Sequence, residues 1–308
     1  MKLSIVTTLY QSSNTIDLFH KKISYVAKKI YKNNYEIIYV NDGSTDNTLI
    51  KAKKIISKDS KSILIDLSKN FGHHKAIMTG LEFSKGDHIF LIDSDLEEDP
   101  DLLYSFYKNL IESNCDVVYG VQERRKGGFF ERISGQIFWI LFNFFSIIKV
   151  PNNISTIRLM KKKYVESLLQ FKEAEPLIAG LWYLVGFNQK GITINKLSKG
   201  TSTYTLKKKI NYLLTSITSF SNKPLYYVFY FGVLTFSLSL IFCIYFLFIY
   251  FTGYIKLEGW TSIILSIWLI GGLIVTILGI ISLYLAQIYI ESKKRPNTFI
   301  NQIYKKIK

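Results

Sequence analysis

Short apolar runs recur along the first 120 residues, at Leu3 to Thr8, Glu36 to Val40, Ile63 to Leu67, His88 to Ile92 and Asp116 to Tyr119. They are rich in β-branched residues, and stretches with helical spacing of apolar positions fill the gaps between them. This alternation predicts an α/β domain with a Rossmann-like, mostly parallel sheet and helices on both faces. In such sheets ligands gather at the carboxyl ends of the strands.

Beyond residue 224 the pattern changes. Leu225 to Phe251 and Thr261 to Ile290 contain no charged side chain. Each exceeds the ~20 residues an α-helix needs to cross a bilayer core, and neither carries the polar stripe of a soluble helix. Two transmembrane helices are therefore expected, over 225–251 and 261–290, joined by the loop TGYIKLEGW. The expected organisation is a globular domain over 1–204, an amphipathic juxtamembrane segment over 205–224, a membrane hairpin over 225–290 and a basic tail over 291–308.

Charge adds a direction. The chain of 308 residues carries 39 basic and 23 acidic side chains, a formal net charge of +16. Lys207, Lys208, Lys209 and Lys223 precede the first apolar stretch, and Lys293, Lys294 and Arg295 follow the second. The positive-inside rule puts both flanks, and so the globular domain and both termini, on the cytoplasmic side of the plasma (inner) membrane. Anionic headgroups of a lipid bilayer account for the basic excess without invoking nucleic acid. The opening MKLSIVTTLY turns polar too soon for a secretory signal and reads as a first strand. Two cysteines, Cys115 and Cys243, suggest neither a disulfide framework nor a zinc site.

The segments after the strands hold the candidate chemistry. In NDGSTDNT, Gly43 permits a tight turn, Ser44, Thr45 or Asp46 suits a helix cap, and Asp42 is placed to accept a hydrogen bond from a nucleobase or ribose. LSKNFGHHKA offers a helix N-terminus suited to a phosphate, with His73 and His74 read as solvated loop residues. In FLIDSDLEEDPD, six carboxylates (Asp93, Asp95, Glu97, Glu98, Asp99, Asp101) fall within nine positions. A locally extended chain would point Asp93 and Asp95 to one side, where their hard oxygens suit Mg²⁺ or Mn²⁺ with Glu97 as a third ligand. Glu98, Asp99 and Asp101 are expected to serve the dipole of the following helix.

The strings SIVTTLY, YVNDGSTDNT, LSKNFGHHKAIMTGL and IDSDLEEDP, in this order and spacing, resemble the family-2 inverting glycosyltransferases with a GT-A fold. With the C-terminal hairpin, the chain is most similar to the polyisoprenyl-phosphate subgroup of dolichyl-phosphate mannose synthase and the bactoprenol glucosyltransferases. The resemblance implies a nucleotide-sugar donor, UDP- or GDP-linked, and a polyisoprenyl phosphate acceptor. It puts Thr8 and Tyr10 at the nucleotide, with Thr8 where proline is usual and Ser12 where an acid is usual. Asp42 matches the aspartate that contacts the base, and Lys69 matches a basic loop residue. Asp93 and Asp95 match the catalytic, metal-binding DxD pair, with Asp93 also near the nucleotide. Glu97 stands where a metal-binding glutamine occurs in the mannose synthases.

Residues 121–160 would then serve the acceptor. GVQERRKGGFFERISGQIFWILFNFF combines cations with an aromatic, apolar helix, read either as an interfacial helix or as a core helix of the globular domain. Arg124, Arg132, Ser134 and Arg158 are the expected phosphate contacts. One departure concerns VPNNISTIRLM: Asn153 and Thr156 stand where bactoprenol glucosyltransferases commonly carry acids. A hydroxyl acceptor would need a general base there. A phosphate monoester, with a second pKa near ~6, is largely dianionic at neutral pH and attacks without one. The alternatives are a membrane-tethered nucleotide-sugar binder without transferase activity, and a polysaccharide synthase, against which stands the lack of a QxxRW string. A homo-oligomer is compatible with the sequence.

Overall fold

The computed structural model describes residues 1–122, 137, 140–141, 143–145, 151, 153–196, 214–215, 217–251 and 259–306. It divides into two compact units. The first comprises residues 1–140, 148–204 and 294–308, the second residues 141–147 and 205–293.

The first unit is built on an eight-stranded sheet. Its strands are β1 (Leu3–Leu9), β2 (Tyr35–Asn41), β3 (Ser62–Leu67), β4 (His88–Leu91), β5 (Val117–Gln122), β6 (Ile154–Lys161), β7 (Gln189–Ile194) and β8 (Ile300–Lys305), in the spatial order β7-β5-β6-β4-β1-β2-β3-β8. Strands β4, β1, β2 and β3 run parallel, with Leu3 opposite Tyr35 and His88. Strand β5 also pairs parallel with β7, while β6 runs antiparallel to β4 and β5, and β8 antiparallel to β3. The expected mostly parallel sheet is present, with two antiparallel insertions.

Every residue of β1 and β2 is buried, because both faces of the central sheet are covered. Helix α1 (Ile16–Tyr31) covers it with Ile16, Phe19, Ile23, Val26 and Ala27, spaced three or four apart on one face. It ends where Lys32 takes a φ of 55°. Helices α2 (Thr48–Lys58), α3 (His73–Glu82) and α4 (Leu102–Glu112) complete the α/β alternation. Helix α3 comes so close to the sheet that a Cβ on Gly80 would run into Val6 and Val40. Phe90 is fully buried with its ring edge against Phe106. Truncating such a ring to alanine typically costs about 3–5 kcal/mol, so Phe90→Ala would remove much of a domain's stability. Short helices α5 (Lys162–Leu168) and α6 (Ile178–Leu184) follow β6.

The second unit contains two long helices, α7 (Lys223–Phe251, 29 residues) and α8 (Trp260–Ser292, 33 residues). Both stretches expected to span a membrane are thus helical. Among the described residues, one stretch, Leu269–Ser292, has by itself the length and hydropathy to cross a membrane. Large apolar side chains project outward from both helices, among them Phe248, Leu269 and Val275. Of the aromatic middle region, Phe144 and Phe145 belong to this unit: Phe144 stacks on Tyr227, with ring centroids 6.2 Å apart, and Phe145 meets Tyr227 edge-on. Arg124, Arg132 and Ser134 lie outside the described residues.

The C-terminal residues, for which the sequence pattern suggested only a basic tail, include strand β8, which completes the sheet of the first unit beside β3.

Candidate active site

Strands β1, β2, β3 and β4 end on one edge of the sheet, and the loops that follow them meet there. Gly43, at φ +63°, makes the turn after β2, and a Cβ there would strike the backbone of Lys69 and Asn70 in the loop after β3. The absence of a side chain lets those loops touch. Asp42 is 2% exposed. Its Oδ1 accepts from the Phe71 amide (2.7 Å) and its Oδ2 from the Gly72 amide (3.0 Å). Instead of standing open for a base or ribose, the Asp42 carboxylate is committed to the loop that enters α3. Asp46 behaves as the cap residue expected. Burial alone would raise its pKa, but hydrogen bonds from Thr48 and Ser13 outweigh it and hold the carboxyl down to about 2.

Of the two histidines at the start of α3, His74 departs from the solvated reading, while His73 keeps a side chain 45% exposed. His73 lies between strand ends, with Nδ1 3.1 Å from Thr8 Oγ1 and Nε2 3.6 Å from Asp93 Oδ1. His74 Nδ1 donates to the Pro176 carbonyl at 3.0 Å; burial, aided by neighbouring His73, lowers its pKa to about 4, so it is neutral at physiological pH.

Asp93 lies two residues beyond β4, its side chain 18% exposed. Burial first, then the nearby Asp95 carboxylate, push its pKa up to about 6 against the opposing pull of Lys196 and a hydrogen bond from the Thr156 hydroxyl. The segment that follows is a turn and not the extended chain expected. Leu96 has a φ of 63°, and Asp95 Oδ1 accepts from the Glu97 amide at 2.9 Å. The turn nevertheless keeps Asp95 close enough to Asp93 for their charges to interact strongly. Ser94, buried between them, donates to the Thr8 carbonyl at 2.9 Å and ties this turn to the end of β1.

Glu98 is not the dipole partner expected. It is fully buried, accepts a hydrogen bond from Ser155 Oγ, and is raised by burial to about 7 despite Lys196. Lys196, two residues after β7, reaches Glu97 Oε2 at 3.3 Å and Glu98 Oε1 at 3.6 Å. Among the described residues it is the one lysine or arginine paired with this acidic group. Sequence reasoning missed it, because nothing in KGITINKLSKG marks one lysine among several; only the pairing of β7 with β5 brings it to the acids. Asp99 and Asp101 stay at the helix entrance, where Asp99 Oδ1 accepts from the Asp101 amide.

Among the described residues, no three His, Cys, Asp or Glu side chains converge as a ready metal site. The donor chemistry nevertheless fits a hard cation: Asp93, Asp95, Glu97 and Glu98 gather around the Lys196 ammonium, and the Asp93 pKa is raised first by burial and then by the neighbouring Asp95 carboxylate. Asp93 and Asp95 are the pair that would hold Mg²⁺ or Mn²⁺ together with a ligand's phosphates. Glu97, expected as a third ligand, is instead engaged with Lys196.

Tyr10 is 54% exposed beside this edge, and Lys69 is exposed with its ammonium 5.2 Å from the centre of the Phe71 ring. Arg158, expected to meet a phosphate, is 1% exposed. It sits on β6 opposite Leu91 and Tyr119, stacks on the Trp182 ring, and donates to the carbonyls of Thr156 (3.2 Å) and Ser155 (3.3 Å). An enclosed guanidinium cannot reach an outside ligand; this one braces the two residues that touch Asp93 and Glu98. Asn153, standing where relatives carry an acid, has a φ of 63° at the turn into β6, a conformation asparagine tolerates better than most residues.

The family model described as "Glycosyl transferase family 2" matches residues 4–169, which contain every strand end of the site except that of β7. The chain is 43% identical over 313 aligned residues to a protein of Mycobacterium tuberculosis described among glycosyltransferases, covering 99% of this chain and 89% of that one. It is 32% identical to the glycosyltransferase YkcC of Bacillus subtilis, over 99% of this chain and 94% of that protein. The bactoprenol glucosyl transferase of Shigella phage SfV is 28% identical, with 97% of this chain and 98% of that one covered. The chain belongs to glycosyl transferase family 2, and it is a glycosyltransferase built on the mixed α/β GT-A fold.

Proposed function

We propose that the protein is a membrane-anchored, inverting glycosyltransferase that moves a sugar from a nucleotide sugar, UDP- or GDP-linked, to a polyisoprenyl phosphate. The observation that carries this reading is the position across from Asp93: continuing the pairing of Leu91 with Arg158 brings Thr156 there, a hydroxyl that favours the ionised carboxylate and cannot serve as a base. A phosphate acceptor needs none, since its own oxygen is the nucleophile. The similarity to a bactoprenol glucosyl transferase along nearly the whole of both chains supports the same acceptor class.

In the reaction, a phosphate oxygen of the acceptor forms a bond to the anomeric carbon while the bond to the donor's diphosphate breaks on the opposite face. The sugar configuration inverts and the nucleoside diphosphate leaves with the electron pair. Mg²⁺ or Mn²⁺, when held by Asp93 and Asp95, supplies charge neutralisation for that leaving group. His73 lies between Thr8 and Asp93, where its Nε2 can hydrogen-bond a phosphate oxygen. Tyr10 and Lys69, exposed at the same edge, contact the nucleotide, and Asp42 acts by fixing the loop that carries Phe71 and Gly72. Lys196 offsets the charge of Glu97 and Glu98 beside Asp93 and Asp95, which face the donor in this reading. The acceptor phosphate meets Arg124, Arg132 and Ser134, while Arg158 braces β6 from behind.

Membrane attachment is supported by the outward apolar surface of α7 and α8, which water would disfavour. Strands β1 to β7 and strand β8 share one sheet, which favours an even number of crossings between residues 204 and 294. With Leu269–Ser292 as one span, we take α7 as the other, and the basic flanks favour a cytoplasmic sheet at the plasma (inner) membrane.

The test is to incubate the purified protein with undecaprenyl phosphate and a panel of UDP- and GDP-sugars, with Mg²⁺ or Mn²⁺, and to analyse lipids by mass spectrometry. A glycosylated polyprenyl phosphate is expected with one donor. Nucleotide-sugar binding without any glycolipid would favour a tethered binder, and a growing sugar polymer would favour a polysaccharide synthase.

A further inference from the structure

Strand β8 does more than cover the β3 edge. An exposed sheet edge needs a cover, and a backbone ladder suffices for that. Here the residues entering the strand make side-chain and backbone contacts with the loops of the active edge. Asn297 Nδ2 donates to the Glu173 carbonyl at 3.1 Å, and Thr298 Oγ1 lies 2.9 Å from Thr79 Oγ1 on α3. The Phe299 carbonyl accepts from the Ser68 amide at 2.9 Å, and its ring centre lies 6.1 Å from that of Phe71. Asn301 Nδ2 donates to Asp66 Oδ2 at 3.2 Å, and the other oxygen of Asp66 accepts from Asn41 Nδ2 at 2.7 Å.

Phe299 touches the loop from Ser68 to His73 itself, and Asn301 and Thr298 hold the strand before it and the helix after it. The far side of the loop is the site itself: Phe71 and Gly72 donate to Asp42, and His73 stands between Thr8 and Asp93. The loop is thus gripped from behind by residues that follow the second long helix, more than 200 positions away in sequence. Asn41, held through Asp66, is the residue before Asp42, so the same strand also steadies the end of β2.

We propose that residues 297–301 are positioning residues for donor binding: by gripping Ser68, Phe71, Asp66 and Thr79 they hold the β3–α3 loop in the shape that receives the nucleotide diphosphate. This rests on the donor reading above. It makes a chain end that is distant in sequence part of the substrate site. Binding of the donor should weaken when the grip is released, while turnover of bound donor should change little, because none of these residues touches the reacting atoms.

The experiment uses the full-length protein in detergent, comparing wild type with Thr298→Val/Phe299→Ala/Asn301→Ala. Amide hydrogen exchange reads the loop directly, and titration with UDP and with GDP reads nucleotide affinity. In the variant, exchange at residues 68–72 is expected to accelerate by about tenfold while α1 and α4 keep their protection, as for the loss of one or two net hydrogen bonds. The dissociation constant of the nucleotide that wild type binds should rise about tenfold, and the donor KM with it, with kcat within about twofold. Phe299→Tyr alone should behave as wild type. Should the triple variant unfold, Phe299→Ala alone serves, because that ring is 56% exposed and contributes little to the core. Unchanged exchange at 68–72 overturns the grip, and a loosened loop that binds nucleotide as tightly as wild type overturns its role in binding. A wild-type chain that binds neither nucleotide overturns the donor reading, while the exchange comparison still decides the grip.

Discussion

Thr156, on β6, stands across from Asp93, two residues beyond β4, where its hydroxyl favours the ionised carboxylate. Two strands that run antiparallel, β4 and β6, thus bring a neutral donor to the carboxylate we assign to the metal. Removing that donor as Thr156→Val should raise the apparent pKa of Asp93 further and cost about 0.5–1.5 kcal/mol in stability. Transfer should fall most below pH 7, where Asp93 then keeps its proton. A pH–rate profile that shifts toward higher pH confirms the contact, and a profile that does not move refutes it.

Asp93 and Glu98 are held at about 6 and about 7, above the ordinary carboxylate range, chiefly by burial. Their folded forms prefer the proton, so the stability they contribute is complete below about pH 4 and declines as pH rises through 6 to 7. Buried His74, with its lowered pKa, acts in the opposite sense as pH falls below about 6.5, so wild type alone does not isolate the effect. The difference between variant and wild type does. With EDTA present, Asp93→Asn and Glu98→Gln should each unfold at a higher temperature than wild type at pH 8, and lose that advantage at pH 4.

Lys196 is the ammonium that offsets Glu97 and buried Glu98. Lys196→Met should destabilise the protein by about 3 kcal/mol at pH 8, since it leaves a buried carboxylate unpaired. Adding Glu98→Gln should recover most of that loss. A double-mutant cycle in thermal unfolding measures the coupling, and additive losses would dissociate the two residues.

Arg158 is enclosed, stacked on Trp182 and bonded to the carbonyls of Ser155 and Thr156. Arg158→Ala should therefore lower stability by at least about 3 kcal/mol, and Arg158→Lys should restore little, because an ammonium neither stacks nor forks as a guanidinium does. Equal stability with a selective rise in acceptor KM would return Arg158 to the phosphate.

Much of the fold was legible along the chain because β1 to β5 are short apolar runs covered on both faces, and a continuous run needs no partner to be recognised. Strands β6, β7 and β8 were not. Most of β8 is exposed, so no buried face wrote a pattern into INQIYK. The acidic pair at 93 and 95 was legible because two carboxylates after a strand are a local signal. Lys196, Thr156 and Ser155 were not seen as neighbours of the acids, since the contacts join segments about 60 to 100 residues apart and depend on the order β7-β5-β6-β4. Arg158 was misread for a related reason: a charged residue within a strand looks like a ligand contact until the aromatic side chains that enclose it are known.

The central claim is that the carboxylates after β4 drive sugar transfer, and the most direct test is Asp95→Asn in the polyprenyl-phosphate assay at saturating donor and Mn²⁺. Electrostatic stabilisation of a leaving group is worth at least about 10²–10³ in rate where single donors have been removed elsewhere. A fall in kcat of that size, with the protein folded and still binding nucleotide, is the predicted result; turnover within about threefold of wild type would contradict it.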